Sequence, residues 1–428
     1  MKNIVKSFIE ITKIGRCSYS SDIMKEYLIT LAKELNYSVE VDSYGNILAK
    51  KSNPKIALQA HYDMVCVGDA PDIELIIEDN TIRAKNSSLG ADNGVAIAMM
   101  IELMSQGVEA EFLFTNDEEV GLIGAKNLNL NIYSPYMLNL DSEEEASVYI
   151  GCAGGADIVA TLNGDLIEID SSYNFYKVSV TEQKGGHSGV DIDKGIPSAI
   201  KILSNFLTDK GIEYLATIKG GERRNSIPAN CYCIVATKSK LYDVDNIEVE
   251  KLDSRFNVFK DSRDIIELIE SFPHGVISEN QEFNIPDVSI NLAEIESINR
   301  TIEFIATARA MSEDRLKDIV KESINILKSY NFKVKIEDEY PAWRPDINKF
   351  TKVVEKSLKK VFKKCDIKAI HAGLECGVLS QKLPNCKFAS IGPNIYYPHS
   401  KDEFVEIESI EKTYMAVEEI VKSVLNQP

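Results

Sequence analysis

The chain is short of the features that mark several common functional classes. It has no basic excess: 48 Lys and Arg stand against 66 Asp and Glu, a formal charge of -18. Nucleic acids and anionic membranes both call for basic patches, so this balance argues against either as a partner. No apolar run approaches the roughly 20 residues that a membrane-crossing helix needs. The start, Met1 to Ile11, alternates charged and apolar residues like an amphipathic helix. Without an uninterrupted apolar stretch it does not read as a signal peptide. The eight cysteines, at 17, 66, 152, 231, 233, 365, 376 and 386, include no C-x-x-C pair. Neither a thiolate zinc site nor a disulfide framework is expected from them, and the chain reads as a reduced, cytoplasmic protein. Internal repeats and low-complexity segments are absent too.

What is there is an ordinary soluble composition, 44% hydrophobic and 27% charged, spread over 428 residues. That length is large for a single core and suggests two domains, with a third possible. Strands are expected at Ile56–Ala60, Phe112–Phe114 and Tyr136–Leu140, each closing on polar residues and alternating with helices, one of them over about Val95–Met104. This pattern predicts an α/β sheet with its site along the carboxyl edges of the strands. From about Phe175 the pattern changes to strands at 175–181, 214–219, 231–237, 288–292 and 301–307, with helices over 196–207 and 313–329. The expected organisation is a catalytic domain in two parts, 1–172 and 343–428, with an α+β domain inserted over 173–342. Trp343 reads as a packing residue at the junction, and His274 as a surface loop residue.

The chain's most informative stretch is Ala110-Glu-Phe-Leu-Phe-Thr-Asn-Asp-Glu-Glu-Val-Gly121. An isolated Glu-Glu pair is most often a solvated turn. On an extended strand end, however, Glu118 and Glu119 would point opposite ways and serve different partners, one a metal ion and the other a water on it. His61 and Asp63, two apart after a strand, would share a face, so that one binds a metal and the other orients it. Asp92, in the small-residue loop Ser88-Leu-Gly-Ala-Asp-Asn-Gly94, Asp141 after the third strand and His399 complete the set. Two neutral imidazoles and three carboxylates suit a pair of zinc-like ions. Five converging carboxylates would otherwise repel one another, a penalty that two divalent cations largely remove.

In order along the chain stand H-x-D, L-G-A-D-N-G, D-E-E-V-G, N-L-D-S-E, G-C-A-G-G, G-G-H-S-G, N-S-I-P, H-A-G-L-E-C-G and a late P-H-S. This series resembles the M20 metallopeptidases, and within them the aminoacyl-histidine (Xaa-His) dipeptidase branch, from about Arg16 to the last helix. The resemblance implies a zinc-peptidase-like catalytic domain, a mixed sheet between helices, with an inserted lid. It implies two divalent ions, zinc first with manganese or cobalt as alternatives. His61 would bind one ion and His399 the other, Asp92 would bridge them, and Glu119 and Asp141 would each complete one. Asp63 would hold the His61 imidazole, and Glu118 would be the general base for cleaving a small peptide. In the lid, His187 would polarise the scissile carbonyl, Arg309 would pair with the substrate carboxylate, and Asn225 would help hold that end. Glu375 would face the substrate from a loop or a helix start. A homodimer through the lid is part of the same expectation.

Some positions depart from the family pattern. Ser88 stands for a usual threonine, Asn93 for a usual aspartate, and Ala310 where serine is expected after the arginine. The chain is also short for this branch, with the trimming expected in the lid. Broad dipeptidases, aminotripeptidases and N-acyl-amino-acid deacylases on the same scaffold, and a catalytically silent binding protein, are the rival readings.

Overall fold

In the computed structural model, residues 3–52 and 54–426 are described. The chain divides into two units. One takes the chain up to Cys152, then Trp343–Ala369 and the part from Leu374 onward; the other is Ala153–Ala342 with Ile370–Gly373. The border expected at 172 therefore moves back to 152. The reason is the strand Gly154–Asn163, which pairs along its length with Thr301–Ala310 and with Lys333–Tyr340 and so belongs to the second unit's sheet. Its glycine-rich start hides it from strand patterning. A side chain at Gly154 or Gly155 would run into the 340–342 backbone or the Tyr340 ring, so small residues are required there.

The first unit is built on an eight-stranded mixed sheet. Its order is Ser38–Val41, Ile47–Lys50, Glu111–Thr115, Ala57–His61, Tyr136–Asn139, Lys387–Ser390, Ser147–Cys152 and Asp366–Ile370. The four central strands, from Glu111–Thr115 to Lys387–Ser390, run parallel. Parallel strands covered on both faces read as continuous apolar runs, and Ala57–His61 and Glu111–Thr115 are buried at every position. Burying Phe112 or Phe114 contributes about 1.5–3 kcal/mol each. The helices Asn3–Ile11, Ala91–Ser105, Lys349–Phe362 and Ile407–Leu425 pack among themselves as one layer, and Ile123–Lys126 packs with Glu375–Lys382. Asn3–Ile11 realises the amphipathic start, with Ile4, Val5, Phe8 and Ile11 buried; residues 1 and 2 lie outside the described residues. A separate four-stranded sheet joins Ile395–Tyr396 and Phe404–Glu406 to the hairpin of Thr81–Ala84 and Leu75–Glu78.

The second unit is a nine-stranded antiparallel sheet with helices Ala199–Asp209, Ser262–Ser271 and Glu313–Ser329 against it. Phe272, Phe304 and Phe332 meet edge-on in its core. Trp343 is buried, exchanges two backbone hydrogen bonds with Cys152 and packs its ring near Phe388. Among the described helices, none is long and apolar enough to cross a membrane.

The cysteines bring a correction. Cys17 and Cys66, expected as free thiols, are joined in a disulfide with Cα atoms 5.5 Å apart. Spacing along the chain carried no sign of it. The pair forms because residues 16–18 run beside residues 62–64, with Met64 N–H donating to the Arg16 carbonyl and Ser18 N–H to the Met64 carbonyl.

Candidate active site

The three parallel strands Ala57–His61, Glu111–Thr115 and Tyr136–Asn139 end side by side; His61 is the last residue of the first, and the loops beyond the other two carry Glu118, Glu119 and Asp141. Asp92 joins them from the kinked start of the helix Ala91–Ser105, where Asp92 and Asn93 leave helical geometry and share a cis peptide bond. His399 arrives from the turn before the strand Phe404–Glu406.

Asp92 lies between the two histidines. Its Oδ1 is 3.1 Å from His61 Nε2 and its Oδ2 is 3.1 Å from His399 Nε2. On the His61 side Asp141 Oδ1 stands 3.2 Å away, and on the His399 side Glu119 Oε2 stands 2.9 Å away. The ligand atoms of His61, Asp92 and Asp141, and those of Asp92, Glu119 and His399, fall within 4.8 Å of one another. His61, Glu118 and Glu119 form a third such group.

The Glu118–Glu119 geometry differs from the expected strand end. The strand stops at Thr115, Asp117 takes a left-handed backbone (φ 49°), and the pair sits in the turn that follows. Both side chains therefore converge on His61 rather than diverging. Asp63 organises that turn. One carboxylate oxygen accepts from Glu118 N–H (3.0 Å), and the other accepts from the Ser18 hydroxyl (2.7 Å) and, at 3.4 Å, from Glu119 N–H. Its Oδ1 also lies 3.5 Å from His61 Nδ1.

Burial and crowding set the charges. Burial opposes a charged His61, yet Asp141, Asp63 and Asp92 hold it protonated well above the ordinary histidine range. Burial likewise works against His399, but its bonds to Asp92 and Glu119 push it up to about 12. Asp92 is lowered because those two histidines outweigh its burial. Glu119 is raised to about 7 by burial and by Asp92, and Glu118 rises well above the usual glutamate range, chiefly through burial. The cluster thus attracts positive charge. A metal fits it by donor chemistry, two imidazole nitrogens with several carboxylate oxygens, and by one further sign: Glu119 Oε1 is buried with no hydrogen-bond partner.

Glu375 is not in a loop. It opens the helix Glu375–Lys382, fully buried, with one oxygen accepting from Thr115 Oγ1 (2.8 Å) and Gln59 Nε2 and the other without a partner. Burial, with Asp141 adding to it, raises its carboxyl to about 8. Gln59 also donates to Thr115 Oγ1 (3.0 Å) and accepts from Asn139 (2.6 Å), so a polar network runs through the sheet below the cluster. Arg16 is fully buried and donates to the carbonyls of Asp63 (2.8 Å) and Gly90. Gln59, Thr115 and Arg16 gave no signal in the sequence, because a polar residue on an apolar strand or before a cysteine marks nothing by itself.

The second unit gathers the other expected residues into a cluster of its own. His187 ends the short strand Gly186–His187, paired with Ser226–Ile227, and its Nδ1 accepts from Gly189 and Val190 N–H, both 3.1 Å. Asn225 accepts Ser188 N–H at its carbonyl (2.8 Å). Arg309 is buried on its strand, donates to Tyr340 and, at 3.4 Å, to the Ser188 hydroxyl, and keeps Nε without a partner. His371 was overlooked although it starts the H-A-G-L-E-C-G motif. It lies in this unit with Nε2 2.7 Å from Ser289 Oγ, and its Nδ1 is buried and unpartnered.

Two histidines of this unit give a pH prediction. Burial, helped by Arg309, lowers His371 to about 3, and burial with Lys201 lowers His274 to about 4. His274 is thus half-buried, with Nδ1 accepting from Leu292 N–H, and not the surface residue expected. Both stay neutral when folded but titrate near 6.5 when unfolded. Their stabilisation is complete above pH about 6.5 and is lost as pH falls through about 4 and 3, on the order of 3 kcal/mol for His274 and 5 kcal/mol for His371. NMR titration of the ring protons should show no midpoint between pH 5 and 8 for either; a midpoint near 6.5 would refute the neutral assignment.

Comparison with known proteins gives consistent matches. Residues 57–423 match the peptidase family M20/M25/M40. The chain is 32% identical to the cytosol non-specific dipeptidase of Escherichia coli over 97% of this chain and 96% of that protein. Among solved structures it is similar to aminoacylhistidine dipeptidase from Vibrio alginolyticus (TM-score 0.81, 26% identity, 98% and 96% of the two chains). A tripeptidase from Staphylococcus aureus shares the fold (TM-score 0.67, 16% identity, 99% and 98%).

Proposed function

This chain belongs to peptidase family M20/M25/M40, and on that premise we propose that it is a metallodipeptidase that hydrolyses short peptides, Xaa-His dipeptides among them, with two divalent cations, zinc first. The observation that carries the reading is Asp92, which offers one oxygen toward His61 and the other toward His399. That is the arrangement a carboxylate shared by two cations requires, with Asp141 beside one histidine and Glu119 beside the other.

When bound, such a cation pair acidifies a water and polarises a carbonyl oxygen. The protein's own residues do the rest. Asp63 fixes the His61 ring from its Nδ1 side, leaving Nε2 as the ligand atom, and holds the 118–119 turn through its backbone N–H groups. Glu118, beside His61 and Glu119, takes the proton of the attacking water and returns it to the departing amine nitrogen. In the second unit, His187 is the candidate to stabilise the developing oxyanion. Arg309, whose Nε is unpartnered, would bind the substrate carboxylate with help from Asn225. Glu375, with one unpartnered oxygen, is the remaining candidate for a substrate contact.

Breadth of specificity is the finer question. The Escherichia coli relative is named a non-specific dipeptidase and the Vibrio structure an aminoacylhistidine dipeptidase, so the panel must separate these. Zinc-loaded protein should hydrolyse Gly-His, β-Ala-His and Gly-Gly, with little turnover of a tripeptide or an N-acetyl amino acid. Cleavage of the acetylated substrate alone would turn the assignment to a deacylase, and no hydrolysis of any dipeptide would end it.

A further inference from the structure

The turn that carries His399 also reaches the loop that carries Asp92, through a residue outside the ligand cluster. Glu403 is buried, and both of its carboxylate oxygens are used. Oε2 accepts from the N–H of Leu89 (2.7 Å) and Gly90 (2.9 Å), and Oε1 from the N–H of Ala91 (2.7 Å) and, at 3.3 Å, Asp92. Four consecutive backbone donors thus converge on one side chain. Those of Gly90, Ala91 and Asp92 are free N–H groups of the helix start, that of Leu89 stands just before it, and no side-chain cap from the helix's own N-cap residue satisfies them. From the other side, the Gly90 carbonyl accepts from the buried Arg16 guanidinium.

Glu403 also closes the turn that contains His399. The Ser400 hydroxyl accepts from Asp402 N–H and donates to the Tyr397 carbonyl, and Glu403 N–H points to the Ser400 carbonyl at 3.4 Å. The strand that follows pairs Phe404 with Arg83 and Val405 with Ile82, which anchors the far end of the turn. Within it His399 holds a left-handed backbone (φ 58°), uncommon for a residue with a side chain. A conformation of that kind persists when its surroundings over-determine it.

We infer that Glu403 is a positioning residue of the metal site: by clamping residues 89–92 it holds Asp92 and His399 in register, so that the cations can share Asp92. The inference rests on the metal reading above. Carboxylate to amide is the informative change. In Glu403→Gln one oxygen remains, while the new NH2 group faces backbone donors and cannot accept from them. Hydrogen-bond partners outside the ligand set typically change metal affinity 10- to 100-fold.

The test uses the full-length, metal-stripped protein. Zn2+ affinity is measured by competition with a chromophoric chelator, coordination by the visible absorption of the Co2+-loaded protein, and folding by near-ultraviolet circular dichroism. Glu403→Gln is expected to fold, to bind Zn2+ about 10- to 100-fold more weakly and to show an altered Co2+ spectrum. Glu403→Asp, which keeps two acceptor oxygens, should recover part of the affinity. Glu403→Gln binding Zn2+ within about twofold of the parent, with the same Co2+ spectrum, would overturn the inference and leave the metal reading standing. Loss of the folded signal in both variants would assign the carboxylate to folding and overturn it as well. A parent protein that binds no Zn2+ would remove the metal reading, and this inference with it.

Discussion

Glu118→Gln is expected to lower kcat on dipeptides by about 10^2- to 10^4-fold, the range that a positioned proton-transfer group contributes. The glutamine keeps the shape of the side chain and its place in the turn held by Asp63, but it has no oxygen basic enough to take a proton from water. Its ligand neighbours His61 and Glu119 are untouched. Metal content by elemental analysis should therefore match the parent protein while turnover collapses. A variant that keeps more than about a tenth of the parent kcat would remove Glu118 from the proton path.

Asp92→Asn acts on the cluster itself. The amide retains one oxygen, so one of the two histidine-side contacts now meets an NH2 group, which cannot ligate a cation. Because Asp92 touches both halves at 3.1 Å, the change should lower bound metal from two equivalents to one or fewer. The affinity loss should be at least about 100-fold, the upper end of what a supporting hydrogen-bond partner costs, and dipeptide hydrolysis should fall with it. Calorimetric titration of the stripped protein with Zn2+ measures this directly. Two equivalents bound at parental affinity would mean that Asp92 is not shared between cations.

The two experiments divide the site by role. Glu118→Gln separates chemistry from binding, and Asp92→Asn separates paired from single occupancy. They also test the geometry most changed from expectation. On an extended strand end Glu118 and Glu119 would face apart, but the left-handed residue Asp117 turns the backbone after Thr115 and sends both carboxylates toward His61. That both carboxylates approach the His61 ring is a property of the turn, not of strand alternation.

Much of the architecture could be read from local pattern. The helix expected over 313–329 is the observed Glu313–Ser329, and the strands expected near 175–181, 214–219 and 231–237 occur as Asn174–Val180, Tyr214–Gly220 and Cys231–Thr237. Such elements carry their own periodicity of apolar residues, so neighbours along the chain suffice to place them. Gly154–Asn163 lacks that signal, since its first residues are small to admit the 340–342 segment. The division of the chain was misplaced for the same reason.

Residue type and order alone bring forward the candidate set, His61, Asp63, Asp92, Glu118, Glu119, Asp141 and His399, each after an apolar strand or in a glycine-flanked loop. Long-range contacts decide the rest. Which oxygen of Asp92 faces which histidine, that Cys17 meets Cys66, that Arg16 is buried under the Gly90 loop, and that Glu403 gathers four amides at and just before a distant helix start are all matters of three-dimensional approach. Lys401 and Asp402 beside Glu403 are solvent-exposed, and nothing in a run of charged residues says which one turns inward. A side chain's chemistry is carried by its own identity, whereas its partners are chosen by packing among segments hundreds of residues apart.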